Sequence, residues 1–281
     1  MSGKLYLVST PIGNLSDISQ RAIEVLDMVD LVACEDTRHT GKLLKYLGLR
    51  KQLISYHEHN EGVKLPHLIE KLKDGSSIAL VSDAGTPTIS DPGFGLVSSS
   101  RERGIEVTVV PGPTALISAL VLSGFPTDAF YFGGFLPSKK GPRRKTLQQV
   151  ADIKATLVFY ESPRRIGKSL RDCSEVLGNR SAAVVREITK LHEEVIGGNL
   201  TDLAERLEGE SVKGEIVLVI DRVRKTPSFN EKEKEEAVLR CYDRFIDSGM
   251  SPKEAVKKAA REVGMPKSDA YRLVEKRKNN R

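Results

Sequence analysis

The chain has 281 residues, 39% hydrophobic and 29% charged, which is room for two modest α/β units and a small extra element and excludes a single miniature domain. No apolar run approaches the roughly 20 residues that cross a bilayer, and the run after Lys4 is too short for a secretory signal, so a membrane-free, cytoplasmic protein is expected. The formal charge of +6 sits wholly at one end: residues 224–281 carry 16 Lys and Arg against 10 Asp and Glu, whereas the first 223 residues carry 28 of each kind. A basic appendix on a neutral body is either a handle for a polyanion or a solvated Lys/Glu-rich helical surface.

In chain order, Leu5-Tyr6-Leu7-Val8 is a short apolar strand ended by the turn Ser9-Thr10-Pro11-Ile12-Gly13-Asn14. Asp17 and Gln20 form a capping-box pattern before Ile18, Ala22, Ile23, Leu26 and Val29, which follow helical spacing. Leu31-Val32-Ala33-Cys34 is the next strand, running into Glu35-Asp36-Thr37-Arg38, and a helix with Leu43, Leu44 and Leu47 stops at Gly48. A short strand near residues 53–56, a helix ending near Gly75, and Ile78-Ala79-Leu80-Val81 before Ser82-Asp83-Ala84-Gly85-Thr86-Pro87 continue the alternation. A helix through Arg101 stops at Gly104, and Val107-Thr108-Val109-Val110 leads into Pro111-Gly112-Pro113-Thr114. Apolar strands separated by helices of this length predict a mainly parallel sheet covered on both faces.

The pattern restarts after Gly124-Phe125-Pro126, which predicts a first domain over residues 1–122 and a second α/β domain over 123–224. The second domain shows strands near residues 130–135, 156–160, 182–185, 193–196 and 215–220, with one intervening helix capped by Thr201. Lys139, Lys140, Arg143, Arg144 and Lys145 surround Gly141-Pro142, which predicts a mobile basic loop. Composition turns polar near residues 224–236, and residues 225–281 read as wholly helical. Ser251-Pro252 starts one helix, Gly264-Met265-Pro266 breaks it and Ser268 caps another, so the tail reads either as a helix–turn–helix with a basic face or as compact helices without nucleic-acid contact.

Several chemistries lack their required spacing. There is no Walker loop, Gly93-Phe94-Gly95 lacks the third glycine of a dinucleotide fingerprint, His192-Glu193-Glu194-Val195-Ile196 has isoleucine where a zincin needs histidine, and no GxSxG elbow exists. His57-Glu58-His59 reads as a polar loop, and Cys34, Cys173 and Cys241 lie too far apart for a CxxC site, so no metal is expected. What remains is a set of Gly/Pro turns after apolar strands, at residues 11–14, 82–87 and 111–114, placed where open α/β sheets bind ligands.

Those turns carry a family resemblance that spans nearly the whole chain. Leu7-Val8-Ser9-Thr10-Pro11-Ile12-Gly13-Asn14-Leu15, Cys34-Glu35-Asp36-Thr37-Arg38, the run from Val81 to Gly93 and Val110-Pro111-Gly112-Pro113-Thr114-Ala115 resemble the small-subunit ribosomal RNA methyltransferases of the tetrapyrrole-methylase superfamily. Gly134-Phe135-Leu136-Pro137, Phe159-Tyr160-Glu161-Ser162-Pro163-Arg164-Arg165 and the segment from Arg186 to Glu194 agree. The resemblance implies two α/β domains holding S-adenosylmethionine between them, a homodimer, and 2′-O-methylation of a cytidine ribose in the decoding region of 16S rRNA. Tetrapyrrole-methylating relatives carry a GxGxG turn after the first strand; Thr10-Pro11-Ile12-Gly13-Asn14 stands there instead, which argues against the alternative of a porphyrinoid substrate. A DNA-binding regulator using the tail is a further alternative, but it leaves the two α/β units without a purpose.

By the same resemblance the cofactor cleft is lined by Pro11, Asp83, Ala84, Gly85, Ile89, Thr114 and Ala115 on one wall, and by Tyr160, Glu161, Arg186, Glu187, Gly214 and Glu215 on the other. Removing the ribose hydroxyl proton calls for a base; Glu35, Asp36, Glu161 and Glu187 all fall near strand ends, with His57 a weaker candidate, and each acid is alternatively a salt-bridge partner for a nearby arginine. RNA contacts are expected from Arg38, Arg164, the basic residues at 139–145, and Lys257, Lys258, Arg261, Lys267 and Arg272 of the tail. Aromatics make up 5% with no Trp, so base-stacking platforms are not evident and shape and phosphate recognition is expected.

Overall fold

The first sheet forms because its central strands are apolar on both faces. In the computed structural model, which describes residues 3–209, 212–223 and 231–279, these strands are β1 (Lys4–Val8), β2 (Leu31–Cys34), β3 (Gln52–Ser55), β4 (Ile78–Val81) and β5 (Glu106–Val110). All pair in parallel in the order β3-β2-β4-β1-β5, as the alternation of strands and helices requires. Leu5, Leu31, Ala33, Ile78 and Leu80 face one core with α3 (Glu61–Lys73) and α4 (Phe94–Glu102), whereas Val8, Val32, Cys34, Ala79 and Val81 face another with α1 (Gln20–Met28) and α2 (Thr37–Tyr46).

The second sheet is mixed rather than parallel. β6 (Phe130–Phe135) and β7 (Thr156–Glu161) pair in parallel, and β10 (Ile216–Ile220), β8 (Ser181–Arg186) and β9 (Glu194–Asn199) complete the order β6-β7-β10-β8-β9 with antiparallel pairings. One face is covered by α6 (Lys140–Val150), α7 (Ile166–Leu177) and α8 (Leu200–Leu207). The other face, Val158, Ala183, Val185, Val217 and Val219, receives Leu116, Ala119 and Leu120 of α5 (Ala115–Leu122) together with Ile12. The last helix of the first half therefore packs on the sheet of the second, which brings the carboxyl ends of β1, β4 and β5 up against that sheet.

Residues 1–223 form one compact unit and residues 224–281 another. The second holds α9 (Glu231–Asp247), α10 (Pro252–Val263) and α11 (Lys267–Asn279) around Val238, Val256, Ala259, Ala260, Ala270 and Val274. Part of the polar stretch expected near residue 224 lies outside the described residues. Pro252 occupies the first turn of α10, where its missing N–H costs nothing, and Gly264 ends the helix in the left-handed region at φ 70°.

Local expectations need four corrections. Ser19, not Asp17, caps α1, its hydroxyl accepting from the Ala22 N–H at 3.1 Å. Asn199 rather than Thr201 is the N-cap of α8, and Ser268 lies inside the first turn of α11. Residues 140–150 are helix rather than a mobile loop, because Pro142 sits in the first turn, where proline is compatible with a helix, and Leu147 and Val150 bury their side chains.

Candidate cofactor cleft

Three turns at the carboxyl ends of adjacent strands are sewn together into one wall. Thr10 and Gly85 exchange backbone hydrogen bonds at 2.9 and 3.0 Å, and the Thr10 hydroxyl donates to the Ser82 carbonyl at 3.2 Å. The Ser9 and Thr86 hydroxyls meet at 3.0 Å, and Thr86 reaches on to the Pro113 carbonyl at 3.4 Å. Gly85 stands at φ 85°, where a side chain would be strained. At Gly13 a Cβ would fall 2.6 Å from Lys190 Cγ and 2.9 Å from the Ile188 carbonyl, so only glycine lets the first turn touch the loop after β8.

Between this wall and the second sheet lies a cavity of about 380 Å³. Of the expected cleft residues, Asp83, Ala84, Gly85, Ile89, Thr114, Ala115, Tyr160, Glu161, Gly214 and Glu215 line it; Pro11, Arg186 and Glu187 do not. Arg186 instead pairs with Glu194 at 2.7 Å and with the Lys213 carbonyl at 3.3 Å. The lining also includes Ile12, Thr86, Ser90, Asp91, Phe135, Ser162, Pro163, Ile188, Ile216 and Val217, which the sequence reading did not single out. Ser90, Asp91 and Phe135 fall within the motifs quoted above, and the Ser-Asp-Pro-Gly turn was the available signal for the first two.

Among the described residues every non-glycine with a left-handed backbone flanks this cavity: Thr88 (φ 74°) and Ser90 (φ 63°) on one wall, Glu187 (φ 51°) and Thr189 (φ 66°) on the other. Such conformations cost of order 1–3 kcal/mol each and persist where surrounding structure over-determines them.

Charge is segregated. Asp83, Asp91, Glu161 and Glu215 line the cavity, and among the described residues no Lys, Arg or His does. Asp83 Oδ1 accepts from the Asp36 N–H at 3.1 Å and so ties the end of β4 to the end of β2. Burial, reinforced by the charge of Glu35, pushes the Asp91 carboxyl up to about 6 against the lowering effect of the Ser82 hydroxyl. Glu35 is itself raised, first by burial and then by Asp83.

The other candidate bases are engaged. Glu161, whose side chain is 0% exposed, accepts from Arg165 and from the Ser162 N–H at 2.6 Å each, and from the Ser169 hydroxyl. Asp36 caps α2 and grips Arg38 at 2.7 Å, which holds its carboxyl well below the usual range. Glu187 accepts from Lys190 at 3.0 Å and from the Glu215 N–H at 3.1 Å, and Lys190 lowers its pKa. His57 Nε2 meets the Asn60 amide at 3.1 Å, and the ring stands edge-on to His59. Among the described residues no group of three or more His, Cys, Asp or Glu is arranged to hold a metal.

The basic residues are scattered. Lys139, Lys140, Lys145 and Arg164 are exposed, and Arg38 is exposed but paired with Asp36. Arg143 is only 4% exposed, its guanidinium held by Asp172 at 2.8 Å and by the Pro137 and Ser138 carbonyls, and Arg144 pairs with Glu175. In the separate helical unit Lys257, Lys258, Arg261, Lys267 and Arg272 all reach solvent.

Two α/β lobes with strand-end turns closing on an acid-lined cavity define a class, and comparison with known proteins gives it a name. The profile of the tetrapyrrole (corrin/porphyrin) methylases matches residues 4–204. The crystal structure of uroporphyrin-III-C-methyltransferase from Thermus thermophilus shares the fold, with a TM-score of 0.56 and 23% identity over 78% of this chain and 94% of that one. The protein called ribosomal RNA small subunit methyltransferase I in Halalkalibacterium halodurans is 43% identical over 96% of this chain and 94% of its own length. Its namesake in Synechocystis is 44% identical over 96% of this chain and 97% of its own. The chain belongs to the tetrapyrrole methylase family, in the branch whose members carry that name. The resemblance read from the motifs and the expected two-lobed α/β fold therefore hold.

The methyl donor of this family is S-adenosylmethionine, and the cavity fits it. Its volume lies within the 300–1,000 Å³ of small-molecule sites. Of the four carboxylates, Glu161 and Glu215 are paired with Arg165 and Lys190, whereas Asp83 and Asp91 have no ion pair among the described residues and suit a ligand carrying a sulfonium and an ammonium. Thr114 offers no side-chain cap at the start of α5, so backbone N–H groups there remain for an anionic end.

Proposed function

We propose that the protein methylates the 2′-oxygen of a cytidine ribose in the decoding region of 16S rRNA, within the small ribosomal subunit. The observation that carries this reading is the acid-lined, cation-free cavity in a chain that matches ribosomal RNA small subunit methyltransferases along nearly its full length. When bound, S-adenosylmethionine supplies an electrophilic methyl group. Asp83 and Asp91 would balance its positive charge, the backbone of Ala84, Gly85, Thr114 and Ala115 would hold it, and Tyr160 would wall it on the opposite side.

The residues facing the RNA hold the ribose hydroxyl and take its proton. Glu35, which lies outside the cavity lining, is the least committed of the four acids: Asp36, Glu161 and Glu187 are held in hydrogen-bonded ion pairs, whereas Glu35 has no ion pair among the described residues and burial and Asp83 raise its pKa. Lys139, Lys140, Lys145 and Arg164 on the second lobe and the exposed cations of the helical unit supply phosphate contacts, while Arg143 braces the lobe from inside. This reading includes a division at residues 122/123 and 224/225, a homodimer and a cytoplasmic address; among the described residues no helix is long and apolar enough to cross a membrane. Small subunits from cells lacking the protein should accept methyl groups that wild-type subunits, already modified, refuse; equal acceptance by both would count against the proposal.

A further inference from the structure

β6 carries one residue too many for its partner. Phe132 pairs with Val158, but Phe135 pairs with Tyr160, so Gly133 and Gly134 together face the single residue Phe159. Gly134 takes φ 62°, a conformation that glycine adopts without strain. In an unbulged register Phe135 would fall opposite Glu161 and point with Leu157 and Phe159 into the helix-covered core. The extra residue turns it to the opposite face, where Phe132 and Phe135 flank Tyr160 with ring centroids 5.0 and 5.3 Å away.

Phe132 and Tyr160 are half-buried, but Phe135 is 60% exposed and lines the cavity. The backbone beyond it is fixed: the Leu136 N–H donates to the Tyr160 carbonyl at 3.3 Å, and buried Arg143 donates to the Pro137 and Ser138 carbonyls at 3.2 and 3.0 Å. A bulge, an aromatic support and a clamped backbone thus present one apolar ring to solvent. Charge identifies the occupant. Exposed Lys139 and Lys140 follow the ring at the end of β6, and Arg164 follows the end of the neighbouring strand, exposed and without an ion pair among the described residues. Carboxylates lie inside the cavity and cations outside, so a polyanion is favoured at the rim and excluded from the interior.

We infer that Phe135 is a stacking platform for an unpaired nucleobase of the RNA, which sets that nucleotide's ribose at the mouth of the cavity. The inference rests on the RNA reading above and names the ring that orients its substrate. The ring's π-face accepts any base, and the cations beside it hold the flanking phosphates.

Three readouts on Phe135→Ala, Phe135→Leu and Phe135→Trp test it. Methyl transfer to unmodified small subunits should lose roughly 10-fold in kcat/KM, mostly through KM, in the alanine variant and nearly as much in the leucine variant, with recovery in the tryptophan variant. S-adenosylmethionine affinity, measured calorimetrically without RNA, should stay within about twofold. The chain has no Trp, so Phe135→Trp also adds its single indole. Emission from that indole should be quenched by a hexacytidylate and not by an abasic ribose-phosphate of equal length. Unchanged kcat/KM in all three variants, loss of cofactor affinity in Phe135→Ala, or equal quenching by both oligomers would overturn the inference. Wild-type enzyme inactive on subunits while base-dependent quenching persists would instead overturn the substrate reading and leave the platform standing.

Discussion

The Arg165 guanidinium donates to Glu161 Oε1 at 2.6 Å from the start of the helix that follows the carboxylate's own strand. With the Ser162 N–H and the Ser169 hydroxyl on the same carboxylate, the pair locks the end of β7 to α7 and sets the wall that carries Tyr160. Glu161→Ala leaves Arg165 half-buried without its counter-charge and should cost about 3 kcal/mol of stability. Chemical denaturation checks this. The pH profile of the remaining activity should match wild type if Glu161 braces the wall and Glu35 is the base, as proposed.

Glu35→Gln should behave in the opposite way. Stability and cofactor affinity should hold, while single-turnover methyl transfer falls by roughly 100-fold or more, the usual range for a lost general base. In the wild type, turnover should rise with pH through the raised titration of Glu35, and the glutamine variant should lose that limb.

Arg143 and Arg164 separate structure from recognition. Arg143→Ala strands Asp172 in the interior and should cost about 3–5 kcal/mol. Arg164→Ala should leave the melting temperature unchanged, weaken RNA binding at every sequence and reduce the slope of log affinity against log salt by about 1. Thermal scans and salt titrations distinguish the two.

Asp91 gives stability a definite pH dependence. Burial, with the charge of Glu35 added, raises its folded pKa to about 6, above the unfolded value near 3.9. The folded state therefore holds a proton that the unfolded state has released between these values, and the stabilisation present below pH ~4 is lost as pH rises through ~6. Asp91→Asn should flatten this decline and melt higher than wild type at pH 8. Melting curves from pH 4 to 8 test the sign, and an unaltered slope would refute it.

Strand positions and the two-lobed plan were legible because apolar runs alternate with helical spacing and end in Gly/Pro turns, and ten cavity residues followed from the family resemblance. What stayed hidden depends on tertiary geometry. Arg143 looks like its neighbours in sequence, and only the helix that begins at Lys140 turns it inward to Asp172. Phe135 continues an ordinary strand until the bulge at Gly133-Gly134 reverses its face, so a reading by alternation places it in the core. Glu35, Asp36, Glu161 and Glu187 are equivalent as strand-end acids and are told apart only by their partners.

The central claim is tested most directly by transfer of tritiated methyl from S-adenosylmethionine to small ribosomal subunits isolated from a strain lacking this protein, followed by nuclease mapping. The account predicts label on one cytidine ribose, abolished in Glu35→Gln and reduced in Phe135→Ala. Absence of label on both subunits and free 16S rRNA, from protein shown calorimetrically to bind the cofactor, would contradict the RNA assignment and point to a porphyrinoid substrate.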